Sequence, residues 1–241
     1  MSDDVDRAAA AIEELAKLHA STMLHADEET DLRQLLVAFG WWTRIVHTAQ
    51  GIAAVHAAGV AHEAAPLVRA LIHHSVALKW LTEFPDEVTE AITWEHGKQG
   101  ARAWGRAVDR GWELTPDAGP QAPTDGAPPG YRYLTSMEDL CARASMANAL
   151  VPLLIESKYA HPTGISADAY LADGEPPKEG ELNIGLVLHP DAYAPLYSTA
   201  LFAVDATVQF GDLANLPEMV NRATALRDEM IEVVRRSEGG L

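Results

Sequence analysis

The stretch Pro66-Leu67-Val68-Arg69-Ala70-Leu71-Ile72-His73-His74-Ser75-Val76-Ala77-Leu78-Lys79-Trp80-Leu81-Thr82-Glu83 decides how the chain is read. Leu67, Leu71, His74, Leu78 and Leu81 recur at the helical period and form one seam. Arg69, His73, Val76 and Trp80 form a second seam on the opposite side. Between Glu63 and Glu83 only Arg69 and Lys79 carry formal charge. A helix that is apolar nearly all round has to be buried, so this one is expected at the centre of a larger assembly. Pro66 suits its first turn, where the missing N–H has no partner to lose.

Outward from that helix, the same period marks its neighbours. Upstream, Ala8, Ile12, Leu15 and Leu18 share a stripe over about residues 4–20. Leu32, Leu35, Leu36, Phe39, Trp42, Val46 and Ala53 continue the pattern after a charged break, with Thr30 or Asp31 placed to cap. Downstream, Pro85-Asp86-Glu87 opens a fourth helix with acids where the helix dipole favours them, and Ala91, Trp94, Ala101, Trp104 and Val108 follow. Residues 113–134 hold five Pro and three Gly, which predicts a mobile loop or lid. Ser136 with Asp139 approximates a capping box for a fifth helix bearing Met137, Leu140, Ala147, Val151 and Leu154, with Pro152 expected to kink or break it. His161-Pro162 ends that helix, because the residue before Pro is pushed out of the helical region. A short strand is expected near 182–188. Two more helices close the chain, about 191–210 and from Pro217 onward.

The expectation is therefore all-α: an up-and-down bundle of six or seven helices, in a single domain over residues 1–241. Composition agrees. There are 41 Ala in 241 residues, and Ala loses least on entering a helix. The 18 basic and 35 acidic residues leave a net charge of −17, which repels phosphate backbones and argues against nucleic acid as a partner. The opening MSDDVD is acidic where a secretory leader would be basic, and Cys141 has no second cysteine to pair with. The apolar run Ala149–Ile155, interrupted by Pro152, is far short of the roughly 20 residues a membrane span needs. A cytoplasmic protein with no membrane association follows.

The chemistry is narrower. Phosphate loops, dinucleotide fingerprints and G-x-S-x-G are missing from the sequence, and His62-Glu63-Ala64-Ala65-Pro66 puts proline where a zinc motif needs its second histidine. No cofactor is implied. His47, His56, His62, His73, His74 and His96 fall on three consecutive predicted helices without the spacing of a bundle metal site, so no metal is expected. The six Trp at helical spacing read as core. One constellation stands out. Arg69, on a helix with almost no other charge, must find acceptors, and Glu156-Ser157-Lys158-Tyr159-Ala160-His161 supplies them around a helix end. Glu156 is expected to pair with Arg69. The candidate site is Arg69, His73, Glu156, Ser157, Tyr159 and His161, read either as a polar network locking two helices or as a binding site for a small molecule or protein partner. A homodimer is compatible with the same reading.

The segment Leu67 to Trp80, with Ser157-Lys158-Tyr159-Ala160-His161-Pro162-Thr163 downstream, resembles an uncharacterised all-helical family common in actinobacteria. Its members pair an Arg-containing helix with a Ser-x-x-x-His-Pro-Ser/Thr stretch. They often carry Glu four residues after the Arg, where this chain has His73. More loosely, Arg69 and His74 match the Arg-x4–6-His spacing of HEPN helical bundles, and that resemblance implies a metal-independent ribonuclease or a toxin or phage-defence component. Five residues along one helix advance about 500°, which leaves this Arg and His roughly 140° apart.

Overall fold

Ten of the residues from Ala65 to Glu83 are buried, on every side of their helix, and the rest of the molecule is arranged to cover them. The structure, a computed structural model, describes residues 2–25, 30–114, 119–160 and 195–238. The elements are α1 (Ser2–Ser21), α2 (Leu32–Ala57), a 3-10 turn (Ala61–Ala64), α3 (Ala65–Glu83), α4 (Pro85–Asp109), α5 (Tyr131–Thr135) and α6 (Met137–Arg143). A second 3-10 turn (Ala147–Ala149), α7 (Leu150–Ala160), α8 (Pro195–Leu213) and α9 (Pro217–Glu238) complete the order. Seven of these helices have eleven residues or more, and among the described residues there is no strand. The fold is an all-α bundle. The strand expected near 182–188 lies outside the described residues.

Local signals set the boundaries. Asp31 caps α2, its carboxylate accepting from the N–H groups of Arg33 and Gln34. Ser136 caps α6 by accepting from Asp139 N–H at 3.3 Å. The fifth helix differs from expectation. It is two helices, broken over residues 144–146, where Ser145 has a φ of 55°. Pro152 neither kinks nor breaks it. It falls in the first turn of α7, where its absent N–H removes no intrahelical bond. The irregular stretch also ends sooner, because Tyr131 to Leu134 already belong to α5.

Two helices share the centre. α3 packs against α2 and α8 on one side and against α4, α6 and α7 on the other. α8 in turn touches α1, α2, α3 and α9. Its buried face is built from Ala200, Ala203 and Ala206 with Val204, Thr207 and Phe210, and the small alanines let neighbouring backbones come close. Trp42 of α2 is fully buried there, stacked on Phe210 with ring centroids 4.3 Å apart. Its indole N–H donates to Thr207 Oγ1 at 3.0 Å, while the Thr207 hydroxyl donates to the Ala203 carbonyl at 2.7 Å. Outside this layer, Tyr197 donates to the Met230 carbonyl and Arg222 pairs with Glu14, tying α9 to α8 and α1.

The described part of the Pro/Gly-rich stretch lies along α4. A Cβ on Gly97 would stand 3.3 Å from Pro123, and one on Gly100 would stand 3.2 Å from Pro120. These two glycines, one turn apart, make the flat track on which the prolines rest.

Thr207→Val keeps the shape of the core but removes the acceptor for the Trp42 indole. An unsatisfied buried donor costs about 1–3 kcal/mol, so urea denaturation should show a loss of that size. A change below about 0.5 kcal/mol would contradict the assigned role of this bond.

Candidate functional site

The α3–α7 seam carries most of the residues picked out by the sequence. Arg69 is half-buried on the first half of α3. His73 follows one turn later with its edge open to solvent, and packing around the ring, then His74 and Arg69, holds its imidazole below the ordinary range. α7 lies against α3, and Ala160 near its end packs on Ala61 and Ala65. Its inward face is Leu153 and Glu156, both 4% exposed. Ser157 turns back on its own helix, its hydroxyl donating to the Leu153 carbonyl at 2.7 Å. His161 and the side chain of Tyr159 lie outside the described residues.

The expected Arg69–Glu156 ion pair does not form. Glu156 Oε2 is sealed from solvent without a hydrogen-bond partner. Burial alone pushes the carboxyl up to about 7, with no cation drawing it back. The reason is geometric: both residues belong to the packed helix pair, yet a shared seam does not make two long side chains meet. Among the described residues, the seam holds a buried carboxyl with no ion-pair partner.

An arginine–carboxylate pair that does form beside α3 was not legible. Glu87, in the first turn of α4, accepts from Arg143 Nε at 3.1 Å and Arg143 NH2 at 3.0 Å, a two-pronged contact across 56 residues of sequence. The Trp80 indole donates to the same carboxylate at 2.7 Å. Arg143 also covers the Phe84 ring, its guanidinium carbon 3.2 Å from the centroid. Gly130 comes in beneath: a Cβ there would meet Glu87 Cγ at 2.8 Å and the Glu87 carbonyl at 2.9 Å. The cluster thus fastens α3, α4, α6 and the end of the Pro/Gly-rich stretch to one another. Hydrogen bonds from Arg143 hold the Glu87 carboxyl below its ordinary value. Glu87 reads from sequence only as a dipole-friendly residue, and spacing gives no sign of its distant partner.

The Arg69–His74 pair keeps its separation. α3 runs unbroken through both, and the His74 Nδ1–H donates to the Ala70 carbonyl of its own helix at 2.7 Å. Among the described residues, no group of three His, Cys, Asp or Glu could hold a metal ion. No helix among them is long and apolar enough to cross a membrane.

Residues 35–103 match a family of unknown function (DUF5677). The match takes in most of α2, all of α3 and most of α4, and with them Arg69, His73, Trp80 and Glu87. It is therefore an uncharacterised family that this part of the chain resembles, on the first of the two segments that carry the resemblance. The second, from Ser157 to Thr163, falls outside the match. No curated protein and no solved structure matches the chain.

A carboxyl whose folded-state pKa is depressed contributes stability above its unfolded value, and that contribution disappears as pH falls through the folded value. Glu87→Gln should therefore melt below wild type at pH 7, with the gap closing by pH 3. A gap of constant size across that range would show that the charge of Glu87 contributes nothing.

Proposed function

We propose that the chain is a helical binding module that takes a small molecule, or a side chain of a protein partner, at the α3–α7 seam. Arg69, His73, Glu156, Ser157, Tyr159 and His161 are the candidate contacts. One observation carries the reading: Glu156 is buried with Oε2 unpartnered. Buried polar atoms in folded proteins are nearly always satisfied, and the exceptions concentrate where a ligand or a functional event completes them. With its proton held to about pH 7, this carboxyl can accept from an N–H or O–H donor, or give its proton to an amine and pair with the cation. The ligand class is thus a hydrogen-bond donor, with amines, guanidines and primary amides its simplest members. We infer a cytoplasmic setting, where Cys141, buried in this fold, stays a thiol.

A ribonuclease reading of the HEPN type needs Arg69 and His74 together at one point, and it needs RNA to approach a chain of net charge −17. The unbroken α3 and the His74–Ala70 bond weigh against it.

The test is a thermal-shift screen with a panel of primary amines, guanidines and primary amides on wild type and on Glu156→Leu. This variant removes the acceptor and a buried charge, so it is expected to fold. Panel members should raise the melting temperature of wild type and leave that of the variant unmoved, with Arg69→Ala weakening the response. A panel that shifts neither protein, or both equally, would sink the reading. Mixed RNA incubated with the protein, with and without EDTA, should stay intact. Cleavage lost in both R69A and H74A would replace the binding reading with the nuclease.

A further inference from the structure

We propose that α7 is a proton-gated element: it sits on α3 while Glu156 is neutral and leaves that seat when Glu156 ionises. Three features of α7 point the same way.

Its polarity is inverted. The charged side chain of its first eight residues, Glu156, is the one turned inward, whereas Val151 (62% exposed), Leu154 (54%) and Ile155 (46%) face water. On a helical wheel the inward set Ala149, Leu153, Glu156 and Ala160 lies about 180° from the outward set. Leu153 is the one large apolar side chain that the described part of α7 buries. Hydrophobic burial therefore holds the acid inside only weakly, since the helix is as apolar on its back as on its front.

Among the described residues, the seat also offers no compensation for a charge. The elements around α7 bring Arg69, His73 and His74 from α3, His62 and Glu63 from the turn before it, and Cys141 and Arg143 from α6. None forms an ion pair with Glu156, and Arg143 is committed to Glu87. An ionised carboxylate left there without partners is far costlier than a neutral acid, and the cost is relieved by reaching water. Burial puts the change in ionisation across neutral pH.

Finally, α7 is joined to α6 through a short break in the helix. Ser145 adopts the left-handed region (φ 55°), and the 3-10 turn Ala147–Ala149 follows before the helix begins. The helix can pivot there without unwinding α6, which is pinned through Arg143.

Hydrogen exchange followed by mass spectrometry from pH 5.0 to 8.0, corrected for intrinsic exchange, reads the seat directly. Because opening releases a proton wherever Glu156 is neutral in its seat and ionised outside it, protection of residues 150–160 in wild type should fall about tenfold per pH unit up to about pH 7 and level off above it. Peptides of α2 and α3 should keep theirs. In Glu156→Gln the protection of α7 should be flat with pH, and Glu156→Leu gives a second neutral variant should the glutamine disturb packing. Flat protection in wild type would overturn the proposal. So would an equal fall in the neutral variants, or a fall that α2 and α3 share.

Discussion

Burial of α3 on all sides is the constraint on which the rest of the structure depends. A helix with Val68, Leu71, Ile72, Val76, Leu78, Trp80 and Leu81 fully out of water must be covered from two directions. α2 and α8 do this on one side, and α4, α6 and α7 on the other. The polar groups of α3 then have few options. Ser75 donates to the Leu71 carbonyl at 3.0 Å and His74 to the Ala70 carbonyl, so both are satisfied within their own helix. Trp80 sends its N–H outward to Glu87. What remains for chemistry is the first half of α3, where Arg69 and His73 reach the surface beside α7.

Two carboxyls packed against this layer show how environment separates chemically identical groups. Glu87 receives three donors from Arg143 and Trp80 and stays ionised below the usual range. It fastens α4 and α6 to the centre. Glu156 Oε2 receives none among the described residues, and burial pushes the carboxyl the other way, to about 7. Hydrogen bonding to the charged form dominates in the first case and desolvation in the second. One end of the cover on α3 is therefore fixed and the other is held by a group that titrates near neutrality.

What the sequence made legible was local in origin. The starts of α2, α3, α4 and α6 follow from Asp31, Pro66, Pro85 and Ser136, because caps and first-turn prolines act within a few residues. The buried character of α3 was legible for the same reason. The break before α7 was not, since Ser145 carries no signal of its φ, and Pro152 points to the wrong place. The central role of α8 stayed hidden because Ala200, Ala203 and Ala206 add little to an apolar pattern. At the site, of the candidate residues only Glu156 is fully buried, and the expected partners differ: Arg69 and Glu156 do not pair, and Glu87 with Arg143 do, across a separation that periodicity cannot register.

The central claim is that α3 and α8 form the layer that opens last. Native-state hydrogen exchange across a series of denaturant concentrations below the unfolding transition measures this helix by helix. Amides of α3 and α8 should exchange only through global unfolding, with free energies converging on the global value, while α4 and α7 exchange through smaller openings. If α3 amides exchanged through a partial opening while α1, α4 or α9 stayed protected, the account of this fold would be contradicted.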